Sequence, residues 1–351
     1  MKEIKKIGII GHYAEGLNMT DGQTVKTVTV TSALEERFGS DQIIKADTHG
    51  GAKTLLKMPY IIINMLKKAN NIVIFPAQRG LKIIVPLLVF FNRFYHRRLH
   101  YCVIGGWLPE LIWDKNSLIY FLKQFSGIYI ETKSAKNTLN ALGLQNVYVI
   151  PNCKELSIVP EHEMSRSFQH PMRVCTFSRV IKEKGIEDAI IAVADVNRKY
   201  GKEIYSLDIF GPVDSNQTEW FLELKKSFPN YVKYKGKVEY SQSVDILSGY
   251  DLLLFPTYYE GEGFAGTIID SFFAGTPIVA SDWRFNPEII RDGETGILFP
   301  SKDTAALSRV LEDIYLKKFD LEAISCNEKK EAELYLPQNA LQPMFDRLTG
   351  N

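Results

Sequence analysis

The residues best equipped for chemistry lie between Asp251 and Pro300, in the run DLLLFPTYYEGEGFAGTIIDSFFAGTPIVASDWRFNPEIIRDGETGILFP. An apolar strand, Leu252–Phe255, leads into a Pro-Thr turn, then Glu260-Gly-Glu262-Gly-Phe-Ala-Gly266, then a helix. Gly263 and Gly266 remove side chains where a helix N-terminus offers unpaired N–H groups, a common device for holding a phosphate or a cluster of hydroxyls. Glu262 and Asp270 are eight residues apart. One then sits at the helix mouth and the other about a turn inside, where they could grip different ends of one ligand. The plainer alternative is that Glu260 and Glu262 decorate a loop and Asp270 is solvated. Upstream, Phe177-Ser-Arg179-Val-Ile-Lys-Glu-Lys184-Gly185 sets two cations at a strand-to-helix turn. Arg179 offers a planar fork and Lys184 a point charge, a suitable pair for a diphosphate, with a solvated basic cluster as the alternative.

Such residues need a rigid frame, and the hydrophobic pattern supplies one. Short apolar runs alternate with helix-period segments, which predicts an α/β protein with parallel sheets and crossover helices. Strands are expected at Lys6–Ile10, Gln42–Ala46, Asn71–Phe75, His100–Ile104, Gly127–Glu131 and Asn146–Ile150, then at Arg173–Phe177, Ser206–Phe210, Val232–Lys235, Asp251–Phe255 and Pro277–Ala280. Helices are expected at Thr24–Phe38, Ser134–Leu142, Gly185–Tyr200, Thr218–Phe228, Ser243–Ser248, Thr267–Ala274 and Thr304–Leu316. KKIGIIGHY and PMRVCTFSRV both run a strand into a loop of small or polar residues, so two Rossmann-like domains stand in tandem. Pro151–Pro171 loses periodicity and reads as the linker. The expected division is 1–160, 171–333 and a segment 334–351 that could return to the first domain.

A chain of 351 residues, 45% hydrophobic and 24% charged, has the length of two globular domains. Cys102, Cys153, Cys175 and Cys326 form no C-x-x-C pair, so neither a zinc knuckle nor a disulfide framework is written here. The start has too short an apolar run for an export signal, and the longest run, Ile83 to Phe91, contains Pro86 and is far below a membrane span. A cytoplasmic, metal-independent protein is the expectation. The net charge of +1 hides an asymmetry. Residues 1–150 hold 19 Lys and Arg against 10 Asp and Glu, and residues 151–351 hold 23 against 31. A basic half could face nucleic acid, a membrane or a phosphorylated substrate. No helix-turn-helix, zinc-finger or RNP pattern accompanies it, so no nucleic acid partner is expected. G-x-G-x-x-G, G-x-x-x-x-G-K-[ST] and D-x-D are all missing.

The second half resembles the C-terminal domain of the retaining glycosyltransferases of family 4, which have the GT-B fold. The matching segments are S-R-x-x-x-x-K-G at Ser178–Gly185, G-x-V at Gly236–Val238, F-P-T-Y-Y-E-G-E-G-F at Phe255–Phe264, A-G-T-P-I-V-A-S-D at Ala274–Asp282 and P-E-I-I-x-D-G-E-T-G at Pro287–Gly296. The first half matches more loosely, through Asp21-Gly22-Gln23, Gly105-Gly106-Trp107 and the strand end Tyr148–Asn152. The resemblance implies two Rossmann-like domains facing each other across a cleft, acceptor-binding and nucleotide-sugar-binding in that order. It implies transfer of a hexose, with retention, from a nucleotide sugar to a glycan or lipid-diphosphate-linked acceptor in surface polysaccharide synthesis, such as capsule. UDP is the expected carrier, and no cofactor or metal is needed.

By the same resemblance, Arg179 and Lys184 hold the donor diphosphate, backbone N–H groups around Phe264, Ala265 and Gly266 assist, and Glu262 binds sugar hydroxyls. Asp270 stands where the family has a second Glu and would accept ribose hydroxyls. Gly236, Lys237 and Val238 would line the base pocket. The family's histidine near the reacting sugar has no counterpart, unless His12 on the first loop serves. Two other classes fit tandem Rossmann domains, a non-catalytic nucleotide-sugar-binding protein and a dinucleotide-dependent dehydrogenase, the latter lacking its glycine fingerprint. The basic first half, with cations among aromatics in Phe90–His100 and around Lys53–Lys68, is expected to dock on an anionic membrane surface.

Overall fold

The structure is a computed structural model that describes residues 6–14, 22–50, 52–160 and 168–350, apart from the side chains of 52, 53 and 55. The chain divides into two compact units, Met1–Glu155 together with Tyr335–Asn351, and Leu156–Leu334. The first unit runs β1 (Ile7–Gly11), α1 (Gly22–Phe38), β2 (Ile43–Asp47), α2 (Ala52–Lys68), β3 (Asn71–Ile74), α3 (Gln78–Tyr95), β4 (Arg98–Cys102), α4 (Leu108–Ile112), α5 (Asn116–Leu122), β5 (Gly127–Ile130), α6 (Lys133–Ala141) and β6 (Val147–Val149). Its sheet is parallel with order β2-β1-β3-β4-β5-β6, and Ile9 lies between Lys45 and Val73 in register. The inner strands are buried on both faces, which is why they read as unbroken Ile and Val runs. One face packs α2, α3, α5 and α6 over Ile72, Ile74, Tyr101 and Ile128. The other carries α1 over Ile7, Ile9 and Val73.

The second unit runs β7 (Met172–Phe177), α7 (Ile186–Tyr200), β8 (Tyr205–Phe210), α8 (Thr218–Lys226), β9 (Val232–Gly236), α9 (Ser243–Ser248), β10 (Leu252–Phe255), α10 (Gly266–Ala274), β11 (Ile278–Ser281), α11 (Asn286–Ile289), β12 (Ile297–Phe299), α12 (Thr304–Tyr315) and α13 (Leu321–Ala332). Its sheet is also parallel, in the order β12-β11-β10-β7-β8-β9. Then α14 (Pro337–Ala340) and α15 (Gln342–Thr349) cross back and bury Leu341, Met344, Phe345 and Leu348 against the α1 side of the first sheet. Asn71 donates to the Leu348 carbonyl at 3.4 Å, and the Arg347 guanidinium lies 4.4 Å from the centre of the Tyr148 ring.

Several expectations are corrected here. β12 and α13 were not among the expected elements: β12 is only three residues long and α13 carries few apolar positions. β4 begins at Arg98 rather than His100, because Arg98 aligns with Asn71 and its N–H donates to the Asn70 carbonyl at 3.0 Å. Two cations of that segment are bonded to main-chain carbonyls, while Arg93 and Arg98 remain exposed. Arg97 Nε donates to the Leu66 carbonyl at 2.9 Å, and Arg98 Nη1 to the Arg347 carbonyl at 3.2 Å. No described helix is long and apolar enough to cross a membrane.

Candidate active site

In the second sheet the chain leaves β7 toward β8 and β9, then returns to place β10 on the other side of β7. The carboxyl ends of β7 and β10 therefore flank the point where strand order reverses, where open parallel sheets leave a crevice for ligands. Arg179 and Lys184 follow β7, and Glu262 follows β10.

Beyond β7, Ser178 donates its N–H to the Phe210 carbonyl at 3.2 Å, and Val180 bridges Val213. This close pass demands glycine at Gly211, whose φ is 133° and where a Cβ would stand 1.8 Å from the Ser178 oxygen. The chain then makes a short turn, Lys182–Lys184, capped by Gly185 at φ 70°. There a Cβ would lie 2.2 Å from the Pro256 oxygen, so glycine again lets the β7 turn reach the end of β10. Tyr258 completes the join, donating its N–H to the Glu183 carbonyl at 2.7 Å.

Lys184 and Glu262 meet directly: Nζ donates to Oε2, and each side chain is only 10% exposed. Thr257 Oγ1 donates to the same carboxylate oxygen at 2.8 Å, and its own carbonyl accepts from Ser281 Oγ at 2.5 Å. Arg179 and Lys184 also share one ring, with Cζ 5.4 Å and Nζ 5.5 Å from the centre of Tyr259. The carbonyl of Tyr259 accepts from Trp283 Nε1 at 2.8 Å and from the Glu262 N–H at 3.0 Å, which holds the segment in place. Arg179 remains half-exposed, with Nη1 3.5 Å from Asp214 Oδ2. Two cations and two carboxylates thus converge at a partly desolvated turn, where an arriving phosphate can compete with Glu262 for Lys184.

The N-terminus of α10 is brought to the same place, because Thr267 Oγ1 donates to the Phe177 carbonyl at 2.9 Å, at the end of β7. The preceding residue, Ala265, supplies no side-chain cap. Gly263 and Phe264 lie in the half-buried loop that leads to it. Asp270 corrects the alternative that it is solvated. It is buried, and its Oδ1 accepts from Ser243 Oγ on the adjoining α9 at 3.1 Å. Gly236 has φ 85°, and its carbonyl accepts from the Gly211 N–H at 2.8 Å, which ties the β9 end to the β7 turn. Lys237 is exposed and pairs with Glu239 at 3.4 Å, while Val238 is half-buried.

In the first unit, β1 and β3 flank the corresponding reversal of strand order. His12 Nδ1 lies 3.0 Å from Thr24 Oγ1, and its Nε2 lies 3.3 Å from His49 Nδ1. Gln23 donates to the Phe75 carbonyl at 3.0 Å, Gly22 opens α1, and Asp21 lies outside the described residues. Behind them Lys26 and Glu131 form a buried ion pair, and burial pushes the thiols of Cys102 and Cys153 up to about 11 and about 12. Sequence reasoning missed Thr257, Tyr259, Asp214, Ser243 and His49. Thr257 and Tyr259 were inside a quoted motif, but nothing in a linear string separates Tyr259 from Tyr258. Asp214, Ser243 and His49 come from distant segments and carry no local signal.

Residues 160–331 match the family model described as Glycosyl transferases group 1. Over 227 residues the chain is 24% identical to an uncharacterized glycosyltransferase of Methanocaldococcus jannaschii, covering 58% of this chain and 56% of the relative. Over 81 residues it is 33% identical to a phosphatidyl-myo-inositol mannosyltransferase of Mycobacterium leprae, covering 23% of this chain and 21% of the relative. The chain thus spans little more than half, or less, of these curated relatives. Among solved structures, Anabaena HepE in complex with UDP superposes with a TM-score of 0.75 at 16% identity over 99% of this chain and 100% of that one. Sucrose-phosphate synthase of Thermosynechococcus elongatus gives 0.73 at 14% identity over 98% and 99%. The fold is that of GT-B glycosyltransferase structures.

Proposed function

We propose that the protein is a retaining glycosyltransferase of family 4 that moves a hexose from a nucleotide sugar, UDP-linked, to a glycan or lipid-linked acceptor. Surface polysaccharide synthesis on the cytoplasmic side of a membrane is the setting this reading assigns. The observation that carries it is the convergence of Arg179, Lys184 and Glu262 at the strand-order reversal of the second sheet. UDP is supported by the HepE structures solved in complex with UDP and with UDP-glucose.

In this mechanism the acceptor hydroxyl oxygen bonds to the anomeric carbon on the face from which the phosphate departs. The anomeric C–O bond breaks with its electron pair going to the phosphate oxygen, and that oxygen takes the hydroxyl proton. The products are the glycoside and the nucleoside diphosphate. Arg179, Lys184 and the first turn of α10 stabilise the charge growing on the leaving phosphate, so the reading calls for no metal or other cofactor. Glu262, released from Lys184 and still held by Thr257, binds sugar hydroxyls. Asp270 serves the ribose with one oxygen kept by Ser243, and Gly236, Lys237 and Val238 lie beside the base. The loop of His12, Gly22 and Gln23 serves the acceptor.

The test is a panel of nucleotide sugars against the purified chain. The true donor at 100 times its dissociation constant raises stability by about 2.7 kcal/mol. Release of nucleoside diphosphate in the presence of acceptor then separates catalysis from binding alone. A chain that neither shifts nor releases nucleotide with any donor is not this enzyme.

A further inference from the structure

Between Asp47 and Glu110 the sequence holds nine Lys and Arg and no Asp or Glu, which accounts for the whole positive surplus of the first half. That stretch builds α2, β3, α3 and β4, and α2 packs beside α3 on one face of the first sheet. Their inner sides fill the core with Met58, Ile62, Leu81, Val85 and Leu88. Their outer sides are not the polar surface that a solvated helix presents. On α3, Ile83, Phe90 and Phe94 recur at spacings of seven and four, one stripe along the helix, and Phe94 is 73% exposed. On α2, Leu56 and Tyr60 stand 84% and 75% exposed, one turn apart. Lys57, Lys82 and Arg93 are exposed beside these stripes, and no described carboxylate pairs with them.

We propose that the α2/α3 face docks on a bilayer containing anionic lipid, with Leu56, Tyr60, Phe90 and Phe94 entering the interface and Lys57, Lys82 and Arg93 meeting headgroups. A run of exposed apolar side chains of this kind marks an interaction site. A second copy of the chain fits poorly, because a two-fold contact would set this acid-free face against itself, cation against cation. The side chains project from the outer surface of helices, which suits a bilayer: it accepts single side chains without a complementary pocket and offers diffuse negative charge. Of the other two cations expected from the sequence to dock, Arg97 is part-buried and held by its bond to the Leu66 carbonyl, and Arg98, though exposed, has one N–H on the Arg347 carbonyl. The surface suits the lipid-linked acceptor of the proposed function, but its test does not depend on transferase activity.

The experiment is co-sedimentation of the full chain with phosphatidylcholine vesicles, with and without 30 mol% (roughly one lipid in three) phosphatidylglycerol, at low and high salt. Three proteins are compared with wild type: Phe90→Ser/Phe94→Ser, Lys57→Gln/Lys82→Gln/Arg93→Gln, and a control in the second unit, Lys225→Gln/Lys226→Gln. All altered positions are exposed, and thermal melting verifies that each variant folds. Wild type and control are expected to pellet with anionic vesicles and to weaken with salt. The charge variant loses on the order of 100-fold in partitioning, about fivefold per cation, and the aromatic variant loses binding at both salts. Three results would overturn the proposal: no pelleting of wild type, equal pelleting with neutral vesicles, or sedimentation equilibrium showing a dimer that Phe90→Ser/Phe94→Ser dissolves. Donor binding in the thermal panel is read separately, so failure here leaves the transferase reading standing.

Discussion

At the scale of single residues, Lys184 is the most constrained group in the candidate site, held between the Glu262 carboxylate and the rings of Phe255 and Tyr259. Arg179→Ala and Lys184→Ala should each reduce turnover on the order of 100- to 1000-fold, the usual cost of losing a preorganised donor to developing charge. Steady-state rates on folded protein check this, and near-wild-type turnover in either variant removes that cation from the chemistry. Asp270 is a different case. Because it is buried against Ser243 on α9, Asp270→Asn should weaken nucleotide binding while leaving the fold intact. Asp270→Glu, the change that sequence comparison alone would call harmless, forces an extra methylene into packed space and should cost about 1–3 kcal/mol. Nucleotide titration calorimetry of the first variant and urea unfolding of the second are the measurements.

At the scale of elements, two glycines set how closely the β7 turn approaches its neighbours. Gly211 stands at φ 133°, a region that side chains avoid, and a Cβ there would occupy the Ser178 carbonyl. Gly211→Ala should therefore destabilise the second unit by on the order of 3 kcal/mol and displace Arg179 through Ser178. The expected pattern is a lowered melting temperature together with donor affinity that falls more than the melting curve alone accounts for. A variant with wild-type stability would mean that the turn has room to move. In the first unit the comparable tie is electrostatic. Burial favours neutral Lys26, yet the Glu131 charge overrides it and keeps the ammonium, joining α1 to the end of β5.

At the scale of the whole molecule, the first unit is completed by residues from the far end of the chain. Deleting 335–351 exposes Leu341, Met344, Phe345 and Leu348 together with the sheet side chains they cover. At about 1.5–3 kcal/mol for each buried side chain, the loss is comparable to the total stability of a domain. Calorimetry of the truncated chain should keep the transition of the second unit and lose that of the first. The first unit also carries an acid-sensitive core. His100 is buried between the Tyr129 hydroxyl and Asn71, and burial, aided by Arg98, lowers its pKa to about 3. The unfolded chain protonates near pH 6.5 and the folded one does not. Stability is therefore complete above about pH 6.5 and lost as pH falls toward 3, up to about 4 kcal/mol. His100→Gln should flatten urea-unfolding stability between pH 6.5 and 4.5 (roughly this window), even if it starts lower at neutral pH.

What the sequence determined by itself was what depends on near neighbours along the chain. The Ile, Val and Leu runs of β1, β3 and β10 exposed the two parallel sheets, because strands buried on both faces carry few polar residues. Arg179 with Lys184, and separately Glu262 with Gly266, stood out as candidates because each pair lies within one short strand-turn-helix segment; that the two segments meet, at Lys184 and Glu262 across 78 residues, was decided by strand order. The tertiary structure alone decided the rest. Ser243 meets Asp270 across 27 residues, and Asn71 meets Leu348 across 277. No local pattern encodes such pairs, since they follow from which helix packs on which strand. The same cause separates Arg97 and Arg98, bound to distant carbonyls, from Arg93, left outward beside Phe94. In the string they are one basic cluster, and only the packing of α15 and α2 around β4 divides it.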